Sequence, residues 1–401
     1  MSDRSPPLVI DILDLIVNEL GSSTDGYDRV SRSTLTSCAL VSKPMSARAR
    51  GHLFSTISLW CWPVASTAKA RRTRIRALKS IMEADPQFVS FVRTLELSLN
   101  DDVWGTGVLP GPCLWWSDVE GAGRNAFVNL CLSGCLTELV IHGLTRDPIL
   151  LLSKIPKGLV SMELSQVSFP HLAPSWTPAL EVGDGEGAKL EKLVVDDVSA
   201  TALFADLGAG SALRTRILAM MQELKTLELG GVHASVGFFQ DHIRVVLSHI
   251  PLSSFTALRF LAFTMCAMDG TVPDVNTRHI FSAIQESTMP SLEHITFVIK
   301  FFSGRSIPRK GTIDEMTDPA TGWGWGALDV ALGSTARYPS LVMVEIDFRN
   351  VTLTVGGPFA TKAHAQEEAR LRLEAVFPSF PARGGDLKVS FVVVLFYKGE
   401  T

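Results

Sequence analysis

A short apolar motif recurs along the chain and limits what the chain can fold into. The motif has the form apolar-x-x-apolar-x-apolar, so its last two apolar residues share one side of an extended strand. Successive copies begin 44, 23, 31, 34, 34, 34 and 49 residues apart, and three equal steps in a row indicate a repeated structural unit. The eight copies are Val92-Leu95-Leu97, Leu136-Leu139-Ile141, Leu159-Met162-Leu164, Leu190-Leu193-Val195, Leu224-Leu227-Leu229, Leu258-Leu261-Phe263, Leu292-Ile295-Phe297 and Leu341-Val344-Ile346.

The segments between copies favour helices, because residues 238–250 and 278–289 carry apolar residues at helical spacing. A strand and a helix in each unit is typical of a leucine-rich solenoid. One such unit cannot bury its own apolar face, but a stack of units shares a continuous core. We therefore expect an α/β solenoid over residues 91–401, an irregular leucine-rich-repeat array with a curved parallel sheet. Its insertions are expected at about 100–125 and 303–326, and its last strand near 387–396.

The first 90 residues show a different pattern. The predicted elements are helices at 8–20, 33–49 and 65–91 and a strand at 54–59. A break or kink is expected at Pro44 and another at Asp85-Pro86, because proline does not fit inside a helix. These elements predict a helical domain over 1–60 and connecting helices over 61–90.

The first 60 residues resemble the F-box, a helical module that docks on the Skp-type adaptor of cullin–RING ubiquitin ligases. The usual opening Leu-Pro-x-Glu-Ile/Leu-Leu-x-x-Ile stands here as Leu8-Val9-Ile10-Asp11-Ile12-Leu13-Asp14-Leu15-Ile16. The later signature Leu-Val-Cys-Lys/Arg-x-Trp stands as Leu40-Val41-Ser42-Lys43-Pro44-Met45. The final part, Ala-Arg-x-x-Leu-Phe-x-x-Ile, is matched by Ala49-Arg50-Gly51-His52-Leu53-Phe54-Ser55-Thr56-Ile57. The chain departs from the pattern at Val9, Asp11 and Met45, which replace Pro, Glu and Trp.

The arrangement is also similar to the mushroom-type fungal set of F-box-like proteins with degenerate leucine-rich repeats. In that set, a helix and turn resembling Ala84-Asp85-Pro86-Gln87-Phe88-Val89 lead into a first strand resembling Phe91-Val92-Arg93-Thr94-Leu95-Glu96-Leu97. This more specific resemblance covers residues 8–98. Over residues 99–401 the similarity is one of architecture.

The resemblance implies a non-enzymatic substrate-recognition subunit of a Skp–cullin–F-box ubiquitin ligase. Its partners would be a Skp-type adaptor, cullin and RING subunits through that adaptor, and an unidentified target protein, with no cofactor. The implied adaptor-binding residues are Leu8, Val9, Ile12, Leu13, Ile16, Leu40, Val41 and Met45. The alternative is a leucine-repeat interaction scaffold with a decayed F-box, in which these residues form only the core of a helical end-cap.

Tryptophans in the two insertions are candidate anchors for the target. Trp104, Trp115 and Trp116 lie in the first insertion, and Trp323 and Trp325 in the second. Exposed tryptophan is frequent among the residues that dominate binding energy at interfaces. In the alternative interpretation, these indoles fold back and cover the core.

The composition argues against several other classes of protein. A formal net charge of −4 does not favour a nucleic-acid binder, and no apolar run approaches the roughly 18 residues that span a bilayer. The N-terminus does not resemble a secretory signal, and the six cysteines show no framework spacing, so cytoplasm and/or nucleus is expected. Cys131 and Cys135 have only His142 nearby as a further zinc ligand, and two core thiols are the simpler interpretation.

The remaining motifs do not predict catalysis. Gly322–Gly326 lacks the context of a nucleotide loop, and Gly208–Ala212 does not match a nucleophile elbow. Asp196-Asp197 and Asp314-Glu315 are interpreted as solvated loop charge. The basic run 69–79 is either a nuclear-targeting or phosphate-binding segment or the solvated face of a helix. We therefore expect no enzyme and no metal site.

Overall fold

The fold is described from a computed structural model. It describes residues 15–20, 29–59, 68–98, 130, 134–143, 155–167, 189–206, 212–230, 247–268, 275–302, 324–354 and 362–396. The chain divides into two compact units, Met1–Ser161 and Met162–Thr401. Within the sheet the strands follow the order of the chain, β1 to β10, and every pair with a described register is parallel.

The first unit begins with helices and continues with strands. Its elements are α1 (residues 15–20), α2 (Arg29–Cys38), α3 (Lys43–Leu53), β1 (Thr56–Leu59), α4 (Ala68–Ala84), a 3-10 turn (Pro86–Phe91), β2 (Thr94–Ser98) and β3 (Glu138–His142). The interruption expected at Asp85-Pro86 is confirmed, since Asp85 caps the 3-10 turn by accepting a hydrogen bond from the backbone N of Gln87 at 3.1 Å.

The break expected at Pro44 lies earlier in the chain. α2 ends at Cys38, and α3 begins at Lys43 with Pro44 in its first turn. Ser42 is the N-cap, and its Oγ accepts a hydrogen bond from the backbone N of Met45 at 3.4 Å. Proline is tolerated at the start of a helix because its missing N–H would have no intrahelical partner there. Pro44 therefore starts a helix and does not kink one.

The second unit alternates strands with helices and short turns. Its strands are β4 (Ser161–Ser165, starting at the last residue of the first unit), β5 (Lys192–Val195), β6 (Thr226–Leu229), β7 (Phe260–Met268), β8 (His294–Phe302), β9 (Met343–Thr354) and β10 (Asp386–Phe396). Its helices are α5 (Asp197–Thr201), α6 (Ala212–Met220), α7 (Val275–Glu286), α8 (Trp325–Leu332), α9 (Lys362–Val376) and α10 (Ser379–Ala382). α7 overlaps the predicted helical segment 278–289 but begins three residues earlier, and β10 coincides with the predicted last strand. Of the other segment, 238–250, only residues 247–249 are helical in the described part.

The recurring motif occupies equivalent positions in neighbouring strands. In the second unit Leu193 is in register with Leu227, Leu227 with Leu261, and Leu261 with Ile295. In the first unit Leu95 is in register with Leu139. Every apolar position of the eight motif copies is buried, and none is more than 5% exposed. The motif therefore forms apolar ladders inside each unit, as expected for side chains on one face of a parallel sheet.

A second recurring contact precedes the strands. One backbone carbonyl before each of several strands accepts hydrogen bonds from two consecutive backbone N–H groups of the next copy. In the first unit, Arg93 accepts from Thr137 and Glu138; in the second, Lys225 accepts from Arg259 and Phe260.

The predicted α/β class with a parallel sheet is confirmed. The leucine-rich-repeat identity and the F-box identity of the cap stay predictions.

Candidate functional site

The N-terminal helices have a small core of their own. Val17 of α1, Leu35 of α2 and Ala49 of α3 are buried together. The side chains packed against them are Leu20, Cys38, Ala39, Met45 and Leu53. α1 is also linked to α3 by a hydrogen bond between Asn18 Oδ1 and His52 Nε2 at 3.0 Å. The three helices therefore pack together as one group.

Five large apolar side chains of α1, α2 and the turn between α2 and α3 are exposed to solvent instead. We call them the apolar surface set: Leu15, Ile16, Val30, Leu40 and Val41. Leu40 is 85% exposed and Val41 is 69% exposed. Both lie in the turn between α2 and α3, where their backbone N–H groups donate to Ser37 and Cys38. Exposed apolar side chains of this size on a packed helical group favour a protein-binding surface.

The predicted adaptor-binding residues fall into three groups. Ile16, Leu40 and Val41 are exposed, whereas Met45 is half-buried against the helical core. Leu8, Val9, Ile12 and Leu13 lie outside the described residues. Met45 thus contributes to the internal packing that the alternative interpretation assigned to the whole set.

The two segments that carry the resemblance contact each other. Arg50 Nη2 of α3 lies 2.8 Å from Asp85 Oδ2 at the start of the 3-10 turn. The Arg50 guanidinium lies 5.9 Å from the ring centroid of Phe91, and Phe54 packs on Phe88 with ring centroids 5.0 Å apart. These contacts hold the end of α3 against the segment that leads into β2.

Sequence reasoning missed two exposed apolar residues of this site. Leu15 and Val30 were not among the predicted docking residues, although both are exposed. Leu15 lies three residues after Ile12 and one before Ile16, so helical spacing from the predicted residues was the available signal. Val30 lies near the start of α2 and had no comparable signal.

Trp325 corrects the prediction of an exposed target anchor. It is 3% exposed and is the first residue of α8, so the second insertion ends before Gly326. Its ring centroid lies 5.0 Å from Phe281, 6.0 Å from Phe297 and 5.6 Å from Phe377. A large ring gains more by filling this aromatic cluster than by remaining in water. Trp104, Trp115, Trp116 and Trp323 lie outside the described residues.

The interpretation of Asp196 as solvated loop charge is wrong. Its side chain is buried, and Oδ1 accepts a hydrogen bond from Ser199 N at 2.8 Å, as an N-cap of α5. Oδ2 accepts from Gln166 N at 2.6 Å and from Ser165 Oγ at 3.1 Å. The carboxylate is therefore occupied by structural hydrogen bonds, and the sequence signal was the Asp-x-x-Ser spacing of a helix cap.

Other classes of site are sparse in the described part of the chain. No group of three or more His, Cys, Asp or Glu residues is placed there to hold a metal ion. Cys135 is half-buried, and Cys131 lies outside the described residues. Among the described helices, none has the length and apolar character needed to cross a bilayer.

Comparison of the chain with protein-family models and with curated protein sequences finds no match. The interpretation of the site therefore depends on its own residues and contacts.

Proposed function

We propose that this chain is a non-enzymatic substrate-recognition subunit of a Skp–cullin–F-box ubiquitin ligase. The N-terminal helices dock on a Skp-type adaptor, and the repeated strands and their connections bind a target protein. The observation that carries the proposal is the apolar surface set, above all Leu40 and Val41 in the turn between α2 and α3. Both residues belong to the segment that resembles the second F-box signature.

The energetics of that surface support docking. Leucine and valine side chains gain roughly 1.5–3 kcal/mol each when they pass from water into a packed interior. The α1–α3 group already has a buried core, so these side chains are not required to hold the helices together. A partner that covers them supplies the burial that the chain itself does not.

The repeated strands support the second half of the proposal. Side chains on one side of each strand form the apolar ladders. The segments that connect the strands can therefore differ from copy to copy without disturbing the ladders. A target held at such a surface reaches the ubiquitin-transferring enzyme at a high effective concentration. Such a subunit accelerates transfer by proximity and needs no catalytic residue of its own.

The test compares two valines of nearly equal exposure. Val41 is 69% exposed on the proposed surface, and Val330 is 68% exposed on α8 in the second unit. Binding of the full-length chain to a purified Skp-type adaptor is measured by isothermal titration calorimetry. We expect Val41→Asp to weaken binding at least about tenfold, as for a central interface residue, and Val330→Asp to leave it unchanged. Equal effects of the two substitutions would contradict the assigned surface.

A second candidate function is the leucine-repeat scaffold with a decayed F-box. The observation that favours it is the half-buried position of Met45 in the helical core, where the F-box pattern has a tryptophan. In the same titration, the scaffold predicts no binding by the natural chain. Binding by Met45→Trp alone would indicate a decayed site, and no binding by either protein would reject adaptor docking.

A further inference from the structure

β10 is the last strand of the sheet and pairs with β9 on one side. It has 11 residues, whereas β1, the strand at the other end of the sheet order, has 4. A strand at the end of a sheet leaves the backbone N–H and C=O groups of one side without a neighbouring strand. The long outer edge of β10 is therefore a candidate for pairing with another strand.

The direction of the backbone groups alternates along β10. Asp386 N donates to Val342 O at 2.8 Å, so Asp386 and the even-numbered residues after it bond to β9. Leu387 and Val389 therefore direct their N–H and C=O groups to the outer edge. Gln366 Nε2 of α9 donates to Val389 O at 2.9 Å, which agrees with this assignment and satisfies one of these four groups. Within the described part of the chain, the other three form no hydrogen bond.

β10 lacks the features that usually protect an edge strand. Natural edge strands are short, contain proline or carry charges along their length. β10 contains no proline, its charges are Asp386 and Lys388 near its start, and residues 391–396 are all apolar in sequence. β1, in contrast, is short. The sequence of β10 therefore favours an edge that is covered by another strand over one that remains in water.

We propose that β10 pairs antiparallel with β10 of a second copy of this chain. A two-fold axis places the two strands side by side, and each supplies the N–H and C=O groups that the other lacks. A peptide strand from another protein would cover β10 but leave its own outer edge unpaired. β10 of a second copy is already paired with β9 on its far side, so the two sheets join and no long edge remains.

The side chains of β10 suit this pairing. Leu387 and Val389 are buried on the apolar side of the strand, whereas Asp386 and Lys388 are exposed on the other side. In an antiparallel pair, residues that exchange hydrogen bonds lie opposite each other with their side chains on the same face. Pairing Leu387 and Val389 with outward-directed residues of the second copy therefore sets apolar side chains beside apolar side chains. The hydrogen-bond pattern and the side-chain pattern agree on this alignment.

The first test measures the oligomeric state of the full-length chain by sedimentation velocity over a series of concentrations. Val389→Pro removes an outward N–H and keeps an apolar side chain, and proline is tolerated where the N–H of an edge strand is not used within the sheet. Thr56→Pro is the matched control on β1: Thr94 N donates to Ser55 O, so Thr56 directs its own N–H away from β2.

We expect the natural chain to form a dimer. Val389→Pro should dimerise at least about tenfold more weakly, because the two-fold axis removes the same hydrogen bond twice. Thr56→Pro should dimerise like the natural chain. Circular dichroism and the unfolding temperature of each variant, measured at low concentration, show whether a change in oligomeric state comes from the edge or from unfolding.

Amide hydrogen exchange, followed by NMR, tests the edge without any substitution. The amides of Leu387 and Val389 should exchange more slowly as the concentration rises and the dimer forms. The amides of Lys388 and Ser390 bond to β9 and should be protected at every concentration.

Four outcomes would overturn the proposal. The first is a monomer at every concentration, and the second is natural dimerisation by Val389→Pro. The third is an equal loss in the two proline variants, which would indicate a general effect of proline. The fourth is exchange of Leu387 and Val389 that does not change with concentration. Fast exchange would then mean an open edge, and slow exchange would mean that a segment of the same chain covers it.

Discussion

At the scale of single residues, Asp196 shows how one carboxylate can organise several backbone segments. It joins the end of β4 to the start of α5 through hydrogen bonds from Ser165, Gln166 and Ser199. Ser199 Oγ in turn accepts from Val167 N at 2.9 Å. Gln166 has φ +53, a left-handed conformation that is uncommon for a non-glycine residue, and its hydrogen bond to Asp196 holds it there.

Removing the Asp196 carboxylate should destabilise the folded chain. We expect Asp196→Ala to lower the free energy of unfolding by about 2–4 kcal/mol, because buried donors lose their acceptor. Chemical denaturation measures the change. Glu191→Ala is the control: Glu191 pairs with Lys225 at 2.8 Å on an exposed surface, and such pairs contribute about 0–1 kcal/mol. Similar losses in the two variants would contradict the structural role of Asp196.

His294 of β8 responds to pH through its surroundings. Partial burial lowers the pKa of its imidazole, and nearby Lys388 also lowers it, whereas Glu345, 3.5 Å away, raises the pKa without reversing the direction. The ring also packs edge-on against Phe260, with centroids 4.9 Å apart, and its Nε2 lies 3.1 Å from Thr296 Oγ1. The folded chain therefore favours the neutral imidazole.

The sign of the resulting pH dependence follows from linkage. The pKa of histidine in an unfolded chain is about 6.5 and that of folded His294 is lower, so the unfolded chain binds the proton first as pH falls. Stability is lost as pH falls through about 6.5 towards the folded pKa. We expect His294→Gln to lose less stability between about pH 7.5 and 5.5 than the natural chain, in denaturation midpoints at each pH.

At the scale of elements, α8 illustrates how a helix is positioned by what it buries. Gly324 has φ +77 and begins the helix, and Trp325, Leu328 and Leu332 then follow at buried helical positions. The Asp329 carboxylate accepts hydrogen bonds from Ser379 N at 2.9 Å and Phe380 N at 2.8 Å, at the start of α10. One face of α8 therefore fills the core, and Asp329 holds the start of α10 against it.

The aromatic cluster at the start of α8 gives an element-scale prediction. We expect Trp325→Ala to lower the free energy of unfolding by about 3–5 kcal/mol, because the indole leaves a cavity among Phe281, Phe297 and Phe377. Val330→Ala on the exposed side of the same helix should change it by no more than about 0.5 kcal/mol. Urea denaturation distinguishes the two, and a small effect at Trp325 would mean that the cluster is not tightly packed.

At the scale of the whole molecule, buried apolar side chains contribute more to stability than surface ion pairs do. The apolar ladders are fully buried in each unit, while the ion pairs between neighbouring copies, such as Lys189–Glu223 and Arg259–Glu293, are exposed. Exposed pairs contribute about 0–1 kcal/mol each, so the ladders dominate. The apolar surface set, in contrast, is exposed and is not part of these ladders.

The sequence by itself determined the features that depend on local periodicity. The spacing of Leu193, Leu227 and Leu261 predicted a parallel α/β arrangement, because a period of two or of 3.6 residues decides which side chains share a face. Only the tertiary structure decided the surroundings of individual side chains. Trp325 is buried by rings distant in the chain, and Asp196 is enclosed by residues of the preceding copy. Burial depends on these long-range contacts, and a local pattern does not specify which residues of another segment arrive to make them.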